Sequence, residues 1–318
     1  MARMQRPVHV VGVGMIPFTK PGASEPYTVM GARAAALALQ DAGVDYAAVQ
    51  QAYVGYVYGD STAGQAAIYG VGLTGIPVFN VNNNCSTGSS ALFLARQAVE
   101  SGMIECAIAL GFEQMVPGAL KSQWDDRPSP MNRFAEVMTA HQGFEPEKPR
   151  AAQFFGGAGR DHMARFGTRA DTFGRISVKA RQHAARNPLA VFRQTLTLDE
   201  VMASATVFDP LTRFQCCPPT CGAAAAVVCS AAFAQKHGLD RRVVIAAQAM
   251  TTDTPSTFES DDMLRVVGYD MSAAAAALGA APRRVFLAIG RQEAGAFRAA
   301  PGHAYLLRSV EPVAPGDL

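Results

Sequence analysis

Pro77-Val78-Phe79-Asn80-Val81-Asn82-Asn83-Asn84-Cys85-Ser86-Thr87-Gly88-Ser89-Ser90 is the stretch on which the fold turns. Its first five residues are strand-like. The run of asparagines and small hydroxyl residues favours a tight polar turn. A helical pattern follows over 89–100, closed by Gly102. Next comes Cys106-Ala107-Ile108-Ala109-Leu110-Gly111, an apolar run of strand length. Strand, turn, helix, strand is a βαβ unit, and a βαβ unit implies a parallel sheet.

The flanks extend the pattern. Val8-His9-Val10-Val11-Gly12-Val13-Gly14 reads as a strand buried on both faces. Its glycines invite a dinucleotide-binding reading, but the third glycine of that fingerprint would fall on Pro17. A nicotinamide-dependent oxidoreductase is thereby disfavoured. A helix is predicted over 27–42 with Gly43 as its stop. A second strand is predicted over 51–58, and Gly59-Asp60-Ser61-Thr62 leads into a short helix. Between 115 and 206 the sheet pattern vanishes and charged, aromatic and Pro residues rise, with helices predicted over 151–166 and 169–186. That texture suits a long insertion over the core, where substrate contacts concentrate. The core pattern returns with strands over 222–229 and 243–248.

Composition narrows the function classes. The chain has 318 residues, 49% hydrophobic and 17% charged, enough for a large buried core. A net charge of +2 gives no electrostatic case for nucleic acid. No apolar run reaches the roughly 18 residues that span a bilayer. The basic opening Met1-Ala2-Arg3-Met4-Gln5-Arg6-Pro7 is followed by too short an apolar stretch for a signal peptide. The cysteines are Cys85, Cys106, Cys216, Cys217, Cys221 and Cys229, with no secreted disulfide spacing, as expected of a reduced, intracellular chain. Adjacent Cys216 and Cys217 make a poor zinc pair, so no metal is expected there.

Cys85 is the candidate nucleophile. A thiolate attacks carbonyls well, and the thioester it forms stays reactive. The start of a helix offers partial positive charge and unpaired N–H groups that stabilise a thiolate and can hold an oxyanion. Gly88 and the small hydroxyl residues leave room for a ligand to approach the backbone. A buried structural cysteine is the competing reading, since free Cys is among the most buried residue types.

The segment 82–92 resembles the nucleophile segment of sterol-carrier-protein-x-type thiolases. The similarity extends to Val54-Gly55-Tyr56-Val57-Tyr58-Gly59-Asp60-Ser61-Thr62, Thr74-Gly75-Ile76-Pro77 and Ala109-Leu110-Gly111-Phe112-Glu113. It continues through Asp199-Glu200-Val201-Met202-Ala203-Ser204, Gln215-Cys216-Cys217-Pro218 and Val267-Gly268-Tyr269-Asp270-Met271-Ser272. The resemblance implies an α/β thiolase fold, with a βαβ-rich N-terminal domain whose mostly parallel sheet lies between helices. It implies residues 1–114 and 207–272 as that domain and 115–206 as an inserted loop domain. Cys85 would accept an acyl group from a 3-oxoacyl-coenzyme A, its own N–H helping to form the oxyanion hole. Free coenzyme A would enter as co-substrate, with no bound cofactor and no metal. His162, Met163 and His183 fall in the insertion and are candidate substrate contacts. Lipid metabolism, a homodimer or a pairing with a full-length thiolase, and a peroxisomal address are further implications, although Pro315-Gly316-Asp317-Leu318 is not a peroxisomal signal.

The resemblance stops after Ser272. Residues 273–318 are Ala-, Arg- and Pro-rich, and the family's His-Asp-Cys-Phe and Gly-His-Pro segments have no counterpart. His303 is followed by Ala304. The expectation is therefore a divergent tail in place of most of the second thiolase domain. Acyl transfer to Cys85 would be slow and the full cycle badly impaired, because a base and a second acid are needed. The alternative is a non-catalytic acyl-coenzyme A-binding or partner subunit. The family also usually has an acidic residue where Cys221 stands, one that would bond backbone groups in a turn.

Overall fold

A computed structural model describes residues 6–118, 124, 126–246, 248–259, 261–267, 275, 278, 280, 284–287, 295–302 and 304–307. In chain order the elements open with β1 (Val8–Met15), α1 (Tyr27–Ala42), β2 (Gln51–Gly55), α2 (Ala63–Tyr69), β3 (Val78–Val81), α3 (Thr87–Glu100) and β4 (Cys106–Glu113). Then come α4 (Asn132–Gln142), α5 (Arg150–Phe166), α6 (Ala170–Ala185), α7 (Leu198–Met202), β5 (Thr206–Phe208), β6 (Leu211–Thr212), β7 (Gly222–Ser230) and α8 (Ala231–Lys236). The last are α9 (Pro255–Glu259), α10 (Met263–Val267), β8 (Arg284–Leu287) and β9 (Ala304–Leu307).

The chain divides into two units. The first holds 1–119, 188–191 and 219–250. Its sheet runs in the order β1-β7-β4-β2-β3. β2 pairs in parallel with both β3 and β4, while β7 is antiparallel to both β1 and β4. Four strands thus share one direction and β7 alone opposes them, so the sheet is mostly parallel, as expected.

Side-chain alternation on the strands divides the core. Cys106, Ile108, Leu110 and Phe112 of β4 join Met30, Ala34, Ala38 and Leu39 of α1 on one face, and Phe233 of α8 packs there too. Ala107 and Ala109 turn to the other face and meet Ala91, Ala95, Ala98 and Val99 of α3. Small residues on both sides of that seam let α3 approach β4 closely. α1 ends as the sequence predicts. Gly43 takes a left-handed φ of 66°, and the Val44 N–H donates to the Leu39 carbonyl at 3.1 Å.

Gly12 and Gly14 now have a role other than phosphate binding. A Cβ at Gly14 would lie 2.2 Å from the Ala34 carbonyl oxygen and 2.4 Å from the Ala38 nitrogen. One at Gly12 would meet Ala38 and Ala42 backbone atoms at 2.4 Å. The glycines let the backbone of α1 lie directly on β1.

Three predicted boundaries move. The helix after Cys85 begins at Thr87, not at 89. β2 stops at Gly55 instead of reaching 58, because the Val57 and Tyr58 N–H groups donate to the Glu113 carboxylate and leave the ladder. The strand predicted over 243–248 shrinks to a bridge between Val244 and His9, flanked by two hydrogen bonds to Val8 and Val10. A bulge in β1 between Val10 and Gly12 bends its edge, and Val243 and Val244 stay exposed.

The second unit holds 120–187, 192–218 and 251–318. Its described core gathers Met138, Phe154, Ala158, Met263 and Val266 from α4, α5 and α10. The Met263 N–H donates to the Asp161 carboxylate, which also meets the His141 ring at 3.1 Å. Helices α5 and α6 match the predicted spans to within one residue at each end. β8 and β9 form a parallel pair. Much of 273–318, His303 included, lies outside the described residues, as does 268–272 of the last resembling segment.

Candidate functional site

The parallel strands β2, β3 and β4 all finish at one edge of the first unit's sheet, where ligands of α/β proteins gather. The chain leaves β3 at Val81, makes a knuckle over 82–86, and enters α3 at Thr87. The helix start sits tightly on the strand ends. A Cβ at Gly55 would lie 2.7 Å from the Thr87 methyl and 2.9 Å from its carbonyl oxygen. A Cβ at Gly111 would lie 3.7 Å from the Gly88 Cα. A Cβ at Gly88 itself meets nothing within 4 Å, so the space beside it is open.

Cys85 occupies the crown of this knuckle, free and exposed. Its Sγ lies 3.9 Å from the Asn84 Oδ1. That partner is a neutral amide, which accepts a hydrogen bond but does not carry a proton away. The first turn of the 14-residue α3 lies immediately beyond the thiol, and a helix start carries unpaired N–H groups and partial positive charge.

Hydrogen bonds fix the knuckle from beneath. The Ser86 hydroxyl donates to the Asn83 carbonyl at 2.7 Å. The Thr87 hydroxyl accepts from the Asn83 N–H at 2.9 Å and donates to the Asn84 carbonyl at 2.5 Å. The Asn83 amide donates to the Ser90 hydroxyl at 2.9 Å, and that hydroxyl lies 3.6 Å from the Met250 sulfur. Sequence reasoning gives the small hydroxyl residues here a role in leaving room for a ligand, not in holding the knuckle. Their small polar side chains looked like turn formers, and only the fold shows what each one holds.

Glu113 was also passed over. The signal was present: a carboxylate closes a strand that is otherwise apolar. It accepts the Val57 N–H at 3.0 Å and the Tyr58 N–H at 3.2 Å. Burial pushes its carboxyl above the usual carboxylate range, against the opposing pull of the Val57, Tyr58 and Gln114 N–H groups. Burial, then the charges of Glu113 and Cys85, raise the Tyr58 phenol too, so it stays protonated and Tyr58 belongs to the same neighbourhood.

The raised Glu113 sets a pH dependence. Such a carboxyl holds its proton more tightly folded than unfolded. Its contribution to folding is complete below the ordinary value of 4.5 and is lost as pH rises through the folded value. Glu113→Gln is expected to lose less stability than the parent chain as pH climbs from 4.5 toward neutrality, measured by denaturant unfolding at several pH values. Parallel curves for the two proteins would refute this. Glu113→Ala leaves two N–H groups without their acceptor and is expected to cost about 2 kcal/mol.

His162, Met163 and His183 belong to the second unit. His162 packs its ring on Phe166 at 4.8 Å and edge-on to Phe173 at 6.4 Å. Met163, half-buried, uses its carbonyl to accept the Gly167 N–H that closes α5. His183 is exposed in the last turn of α6. The structure brings His162 and Met163 together on one helix and puts His183 on another. Cys221 does not stand in a turn. It is buried and pairs both backbone groups with Thr19, and its thiol donates to the Met115 carbonyl at 3.4 Å. Among the described residues, no group of three or more His, Cys, Asp and Glu side chains is placed to hold a metal ion. No helix of the described residues is long and apolar enough to cross a membrane.

Sheet order, helix layers and a cysteine at the strand-to-helix junction define an α/β protein of the thiolase fold. Solved structures carry the same fold: the Ltp2-ChsH2(DUF35) aldolase superposes with a TM-score of 0.66 at 19% identity, over 88% of this chain and 73% of that one. Human mitochondrial 3-ketoacyl-CoA thiolase, solved in complex with CoA, superposes with a TM-score of 0.62 at 16% identity, over 88% and 79%. The chain belongs to the thiolase family, since the family described as Thiolase, N-terminal domain, matches residues 8–232. Sterol carrier protein 2 of Bos taurus is 50% identical over 272 residues, which is 85% of this chain and 50% of that protein. The chain thus spans about half the length of that relative.

Proposed function

We propose that this chain is a thiolase-type acyltransferase acting on 3-oxoacyl-coenzyme A, with Cys85 as acyl acceptor. The observation that carries the reading is the exposed thiol poised at the start of α3, beside the open space at Gly88. Family membership and the CoA complex of the human thiolase support the substrate class. The Cys85 thiolate attacks the 3-oxo carbon, and helix-start N–H groups receive the developing oxyanion. The bond between C2 and C3 breaks. The acyl chain stays on sulfur as a thioester, and the departing C2 carbanion of the shorter acyl-coenzyme A takes up a proton. The coenzyme A thiol then gives up its proton, attacks the thioester and carries the chain away, freeing Cys85.

The cycle needs a base for each thiol and an acid for C2. The amide at Asn84 is neither. That observation favours a chain that accepts an acyl group slowly and is impaired in the full cycle, or one that holds acyl-coenzyme A for a longer thiolase partner. His162, Met163 and His183 are retained as proposed substrate contacts, and a homodimer as the proposed assembly. Incubation of the purified chain with a 3-oxoacyl-coenzyme A, with intact-mass analysis and a thiolysis assay, tests the reading. Acyl mass on Cys85 without turnover selects the partner role. Turnover selects the enzyme. The absence of both acyl mass and turnover would sink Cys85 as acyl acceptor.

A further inference from the structure

We propose that Thr87 is a positioning residue for Cys85: its buried hydroxyl clamps the knuckle that aims the thiol and the Cys85 N–H. The inference rests on Cys85 as acyl acceptor and names what holds it in place.

Asn84 is one of two non-glycine residues with a positive φ among the described residues, at 48°. Asn tolerates that conformation better than other residues with a Cβ, yet it stays sparsely populated, and surrounding contacts help to hold it. The Asn84 N–H donates to the Asn82 Oδ1, two residues back, at a long 3.3 Å. Thr87 supplies the stronger hold. One hydroxyl receives the N–H of Asn83 and donates to the carbonyl of Asn84, and the Thr87 N–H donates to that carbonyl at 3.1 Å.

The Asn84 carbonyl belongs to the peptide group that carries the Cys85 nitrogen. A trans peptide is planar, with its N–H opposed to its C=O. Drawing the carbonyl toward Thr87 therefore turns the Cys85 N–H the other way, away from the sheet. The clamp thus sets the direction of the N–H expected to meet the oxyanion as well as the position of Sγ. Thr87 is 5% exposed, and its methyl is seated over Gly55, so the hydroxyl has a fixed place from which to act. It touches no reacting atom.

Iodoacetamide alkylation, followed residue by residue by mass spectrometry on the full chain, tests this. Cys217 is also exposed and serves as the internal reference. Thr87→Val keeps the shape and removes the hydroxyl. It is expected to slow alkylation of Cys85 at neutral pH about fivefold to tenfold, a modest share of what misplaced reacting groups cost. The Cys217 rate should stay unchanged. Thr87→Ser keeps the hydroxyl and is expected to stay within about twofold of the parent rate. Should Thr87→Val fail to fold, Thr87→Ala carries the same expectation. Equal Cys85 rates in the parent and the hydroxyl-less variant overturn the clamp, and so does a Ser variant as slow as Val. Acyl labelling is measured on the same samples. An absent label with the Thr87 dependence intact would sink the acyl-acceptor reading and leave the clamp standing.

Discussion

Replacing Cys85 by alanine is expected to abolish acylation of the chain and to lower any thiolysis by about a thousandfold or more, the loss typical when a covalent nucleophile is removed. Five other cysteines stay in place, so the comparison is stringent. Cys106, Cys221 and Cys229 are buried. Burial, with the Glu105 charge adding to it, pushes the Cys229 thiol up to about 11, and burial followed by Cys229 pushes the Cys106 thiol higher still, so neither competes as a thiolate at neutral pH. Cys216 is raised as well, by burial and then by Cys217. Cys217 is exposed but stands in the second unit, and no helix starts at it. The fold should be untouched, because Cys85 contributes no buried contact. An acyl adduct that persists in Cys85→Ala, located elsewhere by peptide mapping, would refute the assignment.

Gly14→Ala is expected to be the most damaging single methyl in the first unit. The added carbon would stand 2.2 Å from a helix carbonyl oxygen and 2.4 Å from a helix nitrogen. Backbone atoms cannot swing aside as a side-chain tip does, so α1 must lift off β1. The helix carries Met30, Ala34, Ala38 and Leu39 of the larger core cluster, and lifting it loosens all of them. A cost of about 3–5 kcal/mol follows, at the severe end for overpacking. Thermal unfolding followed by circular dichroism should shift down by about 10 °C. Gly88→Ala is the matched control. Its added carbon meets nothing within 4 Å and its φ is not positive, so stability should hold or rise slightly. Equal melting temperatures for Gly14→Ala and the parent would contradict the packing argument.

The strand-turn-helix-strand unit around Cys85 was legible because three signals agreed: apolar runs of strand length, a polar turn and a glycine stop. The helix over 27–42 was legible to the residue, with Gly43 marking its end. The reversed direction of β7 was not, because 222–229 reads as the same continuous apolar run whichever way it points. The failure at 243–248 has a similar origin. Val243, Val244 and Ile245 have the right chemistry for a strand, but how long a neighbouring edge stays straight is a property of β1. At the site, Cys85 was found from its place between strand and helix and from the segments around it. Thr87 and Glu113 escaped because they work through hydrogen bonds to backbone atoms, and Ser90 because it bonds the Asn83 side chain across a turn, none of which leaves a spacing rule in the sequence.

The place of β7 in the sheet bears on how the chain is made. It sits between β1 and β4, yet it is synthesised more than a hundred residues after β4 ends. At the usual pace of synthesis that interval lasts about 5–20 s. Throughout it, β1 and β4 lack the strand that joins them, and the N–H and C=O groups along those edges are without their ladder partners. The unpaired edges are expected to persist until residue 230 has emerged, and a translational pause beyond β4 prolongs that exposure. Protease resistance of stalled chains, compared before and after β7 leaves the exit tunnel, should rise in one step.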